Sequence, residues 1–382
     1  MYKTIEELVT RIDERNSDGT VSELIGVSID KCFIKSVANT NGTDLSKYKI
    51  IRKNDFAVSL MQVSRDGKIP VARLEEYEEA IMSPAYPIFR VKDKNVILPE
   101  YLEMWFKRPE FDREAAFIAV GGVRGSMPWE EFAKMKLPVP PIEKQRKIVN
   151  AYKIVTDRIA LKQKINDNLA NTEQLILYQA ISKNQTIPLS LNEIAEFIDG
   201  DRGKNYPTFD EFSTSGFCLF LNASNVTSSG FNFDSCMFVT EEKDKIMRNG
   251  HLLLNDIVFT SRGTLGNVAL YDKNIKYKNV RINSGMLIIR PKGINLSPYF
   301  IYALLKSNYM KSAIEQFRSG SAQPQLPIKD LQNITFDIPE SQNVLDDLEH
   351  RFFEIEETIS INKREIGNLS ELASILLARL SR

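Results

Sequence analysis

The chain repeats itself. Of its 382 residues, GGVRGSMPWEEFAKMKLPVPPIEKQRK from Gly121 aligns with GSAQPQLPIKDLQNITFDIPESQNVLD from Gly320, an offset of 199 that runs without gaps. Pro128 meets Pro327, Phe132 meets Leu331, Val139 meets Ile338 and Pro140 meets Pro339. LPEYL (98–102) matches LSPYF (296–300), and KNDFAVSL from Lys53 matches LNDIVFTS from Leu254, with Asn54–Asp55 opposite Asn255–Asp256. A unit of about 200 residues is too long for a solenoid repeat, so the pattern means a duplicated domain.

Both copies read in one order: a mixed α/β body, a Gly/Ser-rich loop, a short apolar strand, a proline stop and a long helix. DFAVSLM, YPIFRV, DIVFTS and GMLIIR are β-branched or aromatic runs bounded by turn residues, and predict strands. PEYLEMWFKRPEF and SPYFIYALLKSNYMKSAIEQF predict one helix each, with proline near the start where its missing N–H does no harm. The expected class is α+β, with a first body at 1–141, a helix at 142–183, a second body at 184–340 and a helix at 341–382.

The final helix carries a heptad seam: Leu345, Leu348, Phe352, Ile355, Ile359, Asn362, Ile366, Leu369, Ala373, Leu376 and Leu380. Asn362 is its polar exception, a device that fixes register. A weaker copy runs through Ile148, Tyr152, Val155, Ile159, Lys162, Asn166, Leu169, Glu173, Ile176 and Ala180, at offset 200. Three polar residues interrupt that seam, so it needs a suitable partner. The first helix has eight Lys/Arg against four acids, and the second has eight acids against five bases. Opposite charge favours their pairing with each other as an antiparallel coiled coil. Helices of this length span on the order of 55 Å, enough to hold the two bodies at opposite ends of the pair.

Catalytic signatures are sparse. The two histidines, His251 and His350, have no nearby cysteine or carboxylate cluster at ligand spacing, and read as structural or surface residues. Gly121–Ser126 is glycine-rich but lacks the strand–loop–helix setting of a nucleotide site, and no GxxxxGK[ST] loop occurs. Three scattered cysteines (Cys32, Cys218, Cys236) and a charged N-terminal stretch point to a reducing cytoplasm. Fifty Lys+Arg balance fifty Asp+Glu, so any nucleic-acid affinity has to come from a local basic surface.

At Leu137–Val149, LPVPPIEKQRKIV, the Leu-Pro-x-Pro-Pro-x-x-x-Gln phrase leading into a long helix resembles the signature of specificity subunits of type I restriction–modification systems. The second copy, FDIPESQNVL (Phe336–Leu345), departs by losing one proline and by carrying Val344 opposite Gln145. The resemblance implies two target recognition domains, each reading half of a split site in double-stranded DNA. It implies paired helices that act as a spacer and as the platform for two methyltransferase subunits, with restriction/translocase subunits joining that core. S-adenosylmethionine, ATP and Mg²⁺ then belong to those partners, and this chain is not itself an enzyme. A recognition subunit of a related system that cuts on both sides of its site, and a coiled-coil adaptor unrelated to DNA, remain open alternatives.

The expected DNA-contacting residues lie in matched loops. Arg124 and Ser126 in one Gly-rich loop stand opposite Gln323 and Gln325 in the other; Arg pairs bidentately with guanine and Gln with adenine. The turns after the matched strands carry Gln62, Arg65 and Lys68 in the first copy, Arg262 and Thr264 in the second. Arg202, Lys204 and Tyr206, then Lys278 and Arg281, are further candidates in the second copy, and Lys31 and Lys35 in the first.

Overall fold

A computed structural model describes residues 1–36, 43–61, 63–121, 125–293, 296–317 and 326–381. The chain forms two compact units, residues 1–160 with 367–382, and residues 161–366. Each contains one body and parts of both long helices.

The body of the first unit is built on a four-stranded antiparallel sheet in the order Val9–Ile12, Ile88–Val91, Phe56–Val58, Val71–Arg73. The second unit repeats that order with Ala195–Asp199, Met286–Pro291, Ile257–Thr260 and Val268–Leu270. The turn entering the third strand is the same object in both. Asn54 and Asn255 adopt positive φ (70° and 72°), a conformation that Asn tolerates better than most residues. Asp55 and Asp256 are about 1% exposed. Each accepts the backbone N–H three residues earlier, from Arg52 (3.0 Å) and Leu253 (2.7 Å). Each also pairs with an arginine of the neighbouring strand, Asp55 with Arg90 (2.9 Å) and Asp256 with Arg290 (2.7 Å). A buried carboxylate needs such partners, which explains why the Asn-Asp pair stands in both copies.

The expected single helices are each two. Pro99–Phe106 gives way to Pro109–Ile118, and Pro298–Lys306 to Asn308–Phe317. Pro109 cannot continue a helix, while Ser307 ends the other by capping the next one, its Oγ accepting from Met310 N at 3.1 Å.

Three aromatic positions of the first core, Phe56, Phe89 and Phe132, correspond to Ile257, Ile289 and Leu331 in the second. The scaffold is kept while its packing changes from aromatic to aliphatic. Gln145 closes the first body. It is fully buried, accepts from Leu98 N (2.9 Å) and donates to the carbonyls of Val96 and Pro140 (2.8 Å each). In the second body Ser297 caps the equivalent helix through Phe300 N (3.1 Å), and Val344 stands in the place of the glutamine.

The long helices run Ile142–Lys183 and Gln342–Ala378. Every residue of the expected seam is withdrawn from solvent. Val155, Phe352, Ile355, Ile359 and Asn362 are buried; Ile148, Tyr152, Ile159, Leu169, Ile176, Ile366, Leu369 and Leu376 are half-buried. In the second unit Asn362 accepts from Lys162 and donates to Asn166, both at 2.8 Å, and Lys162 also pairs with Glu365 at 2.8 Å. Glu173 lies with Lys306 (2.6 Å), which also binds Glu356. Partners on the second helix thus fall in number as those on the first rise, so the pairing is antiparallel. The three polar interruptions, Lys162, Asn166 and Glu173, are the positions with polar partners. In the first unit Leu377 and Leu380 join a core cluster edged by Ile148 and Tyr152; in the second, Leu177 and Ala180 join Leu348 and Phe352.

Among the described residues no helix is long and apolar enough to cross a membrane.

Candidate nucleic-acid interface

Both bodies gather loops at the exit of the third sheet strand. In the first unit Met127 N–H donates to the Leu60 carbonyl (2.9 Å), which ties the end of the Gly-rich loop to the turn after Phe56–Val58. The two segments touch at Gly125: its φ is 74°, and a Cβ there would fall 2.3 Å from Ser64 Oγ. The second unit repeats the tie, with Leu326 N–H donating to the Ser261 carbonyl (3.3 Å). Backbone hydrogen bonds fix both turns, so their side chains project from a held frame.

In the first unit that frame presents Arg65, Lys68 and Ser126. Arg65 is exposed and pairs with its neighbour Asp66 (2.7 Å), which holds the Arg65 pKa above its ordinary value through that hydrogen bond. Lys68 is exposed and has no ion pair among the described residues. Ser126 is half-buried. Gln62 and Arg124 lie outside the described residues. Lys31 does not serve the surface: it is buried, 2.7 Å from Asp112, and also donates to the Phe106 carbonyl. Burial pushes its pKa down, against the pull of Asp112. Asp112 also accepts from Ile69 N (3.1 Å), so this pair anchors the turn that displays Lys68. Lys35 is exposed and 3.5 Å from Glu23.

In the second unit Thr260 Oγ1 accepts from Asn267 N (2.9 Å) and donates to the Thr264 carbonyl, closing a turn that carries Arg262 and Thr264 at its tip. Arg262 is half-buried without an ion pair among the described residues, and Thr264 is exposed. Ser261 donates through N and Oγ to the Gly285 carbonyl (3.1 Å each), bringing in a second loop. That loop in turn meets the first: Arg202 donates to the Ser284 carbonyl (3.4 Å) while pairing with Asp199 (2.7 Å). Tyr206 shares a hydrogen bond with the Ser284 side chain; burial raises its pKa and that bond opposes the rise. Lys204 is exposed without an ion pair among the described residues. The structure therefore brings Arg202, Lys204, Tyr206, Arg262 and Thr264 onto one set of joined loops. Gln323 and Gln325 lie outside the described residues.

Two expected residues stand elsewhere. Lys278 is exposed but precedes the strand Val280–Ile282, at the end away from the Ser284 loop. Arg281 is a correction. It is buried, pairs with Asp244, and donates to the carbonyls of Asn249 (2.8 Å), Asp244 (2.9 Å) and Met247 (3.2 Å). Its guanidinium holds the chain after the helix Glu241–Ile246 and is not on the surface.

A family model for the type I restriction modification DNA specificity domain matches twice, over residues 24–171 and 188–366. The chain belongs to that family. A curated relative, the specificity subunit of the type I restriction enzyme MjaIX from Methanocaldococcus jannaschii, is 21% identical over 304 residues, covering 75% of this chain and 69% of that protein. The fold is that of a type I restriction-modification S subunit from M. genitalium, whose crystal structure superposes over 100% of this chain and 96% of its own, with a TM-score of 0.61 at 17% identity.

Within the family frame, the residues that sequence reading passed over are the anchors. Asp112 holds Lys31 and Ile69 N, Asp201 accepts from Arg202 N, and Asp244 holds the buried Arg281; a lone aspartate in a polar stretch carries no periodic signal that sets it apart from surface acids. Among the described residues no three His, Cys, Asp or Glu side chains are placed to hold a metal ion.

Proposed function

We propose that this chain is the DNA-reading subunit of a type I restriction–modification complex. Each body reads one half of a bipartite duplex site through the loops at the exit of its third sheet strand. The paired helices set the gap between the half-sites and carry two methyltransferase subunits, to which restriction/translocase subunits add. S-adenosylmethionine, ATP and Mg²⁺ are used by those partners.

One observation carries the reading. The same backbone tie, Met127 to Leu60 and Leu326 to Ser261, holds a cation-bearing turn at the same strand end of both copies. Two equivalent frames with different side chains suit two different short words, since backbone contacts position a protein on DNA and side chains read it. Platform use is supported by apolar residues left on the helix surfaces. Leu161 and Ile361, and Leu175 and Ile375, recur at offset 200 and are 59%, 41%, 56% and 43% exposed. Repeated exposed apolar positions mark contact with a repeated partner better than scattered ones do.

The test is methylation mapping in cells that carry this chain with its methyltransferase partner. Two short words at a fixed gap are expected. One uninterrupted word, or no methylation that depends on this chain, would refute it.

A further inference from the structure

In the second body Arg248 lies on a segment held by four hydrogen bonds, and its side chain has no ion pair among the described residues. Residues 247–250 form a strap after the helix Glu241–Ile246. Met247 is buried, and its carbonyl accepts from Arg281 (3.2 Å). The Asn249 carbonyl accepts from the same guanidinium (2.8 Å), and the Gly250 carbonyl from Ile282 N (2.9 Å). Arg248 N–H donates to Asp201 Oδ2 (2.8 Å). The other oxygen of that carboxylate accepts from Arg202 N (2.8 Å). One largely buried carboxyl group therefore joins two arginine-bearing segments that are far apart in sequence. The Ser284 loop packs against them without room for a side chain: a Cβ on Gly200 would fall 2.2 Å from the Asn283 carbonyl oxygen. Arg248 itself is exposed, with no ion pair among the described residues. Four acids of this region have other partners: Asp199 pairs with Arg202, Asp244 with Arg281, Glu211 with Lys243 and Glu241 with Lys245.

We infer that Arg248 contacts a DNA backbone phosphate at the second half-site, and that Asp201 is the positioning residue that sets it beside Arg202. This rests on the DNA-reading function proposed above. A held backbone lowers the entropy lost when a side chain engages its ligand, and an exposed guanidinium on such a strap suits an anion. A phosphate contact strengthens binding on any sequence and adds one released counterion.

The experiment uses the full chain assembled with its methyltransferase partner. Binding is measured against salt on two duplexes, one carrying the mapped site and one with the second word scrambled. Arg248→Ala should weaken both by a similar factor, roughly tenfold, and lower the log–log salt slope by about one. Arg248→Lys should keep most of that slope. Asp201→Asn should lower the slope in the wild-type background and change it little when Arg248 is already Ala, a coupling that a general loss of folding would not give. Loss confined to the mapped site would make Arg248 a base reader and overturn the phosphate contact. Wild-type binding untouched by Arg248→Ala would overturn its role alone. A wild-type assembly that binds neither duplex would overturn the DNA-reading function with it.

Discussion

The two bodies share a scaffold and differ in what the scaffold displays. The Asn-Asp turn with its cross-strand arginine, the four-stranded sheet and the tie from the Gly-rich loop occur in both. Between the first and third strands of that sheet, the copies part. Residues 13–55 of the first unit form short antiparallel pairs, Ile25–Val27 with Phe33–Lys35, and Lys49–Arg52 with the later strand Glu79–Met82. Residues 200–256 of the second contribute Cys218–Leu221 and Phe238–Val239 to a three-stranded sheet with Val280–Ile282, and form a hairpin, Val226–Thr227 with Gly230–Phe231. Duplication has preserved what fixes the loops and released what they present. The proposed reading of two unlike words on one frame needs that division.

If the Asn-Asp turns are one element used twice, breaking them should cost the same in both places. Asp55→Ala and Asp256→Ala should each destabilise their own unit by about 2–4 kcal/mol, through the lost ion pair and the lost backbone acceptor. Hydrogen exchange read peptide by peptide localises the loss. A large effect in one unit with none in the other would break the equivalence.

The helix seam sharpens the comparison because its polar layer lies in one unit. Glu173 is fully buried, and burial pushes its pKa up from 4.5 to about 8, against Lys306 and with the help of Glu356. A carboxyl whose folded pKa lies above its unfolded value binds its proton more tightly when folded. Its contribution to stability is complete below about pH 4.5 and is lost as pH rises toward about 8. The second unit should therefore lose protection over that window, and Glu173→Gln should flatten the profile. The repeat places Ala373 opposite Glu173, so the first unit has no such group at that position. Loss that persists in Glu173→Gln would move the titration to another group.

Smaller effects test the reading surface. Arg262→Ala should weaken binding at the second half-site about tenfold, while Lys278→Ala, at the far end of its strand, should leave it unchanged. Arg65→Ala should leave the melting temperature unchanged, because its exposed pair with Asp66 is screened by solvent. Equal losses for Arg262 and Lys278 would mean that the interface is wider than the joined loops.

Much of this was legible in the amino-acid order, for a physical reason. A seam imposes a 3.5-residue period over many turns, and each of its residues, Asn362 included, is withdrawn from solvent. A repeated Asn-Asp pair marks a repeated turn. The fate of single cations was not legible. Lys31 and Arg281 look in sequence like Lys68 and Arg262, but Asp112 and Asp244, both remote in the chain, draw them inside. Whether a basic residue is displayed or buried depends on a partner that local pattern does not reveal. The two helix breaks differ in legibility: Pro109 is visible in sequence as a breaker, whereas Ser307 ends its helix through a cap on Met310 N that an apolar run does not signal.

The central claim is that each body reads its own word. Replacing residues 1–141 with the first body of another family member, and mapping methylation by the assembled complex, tests it directly. The account predicts that one half of the methylated sequence changes while the other half stays as it was. A change in both halves, or in neither, would contradict it.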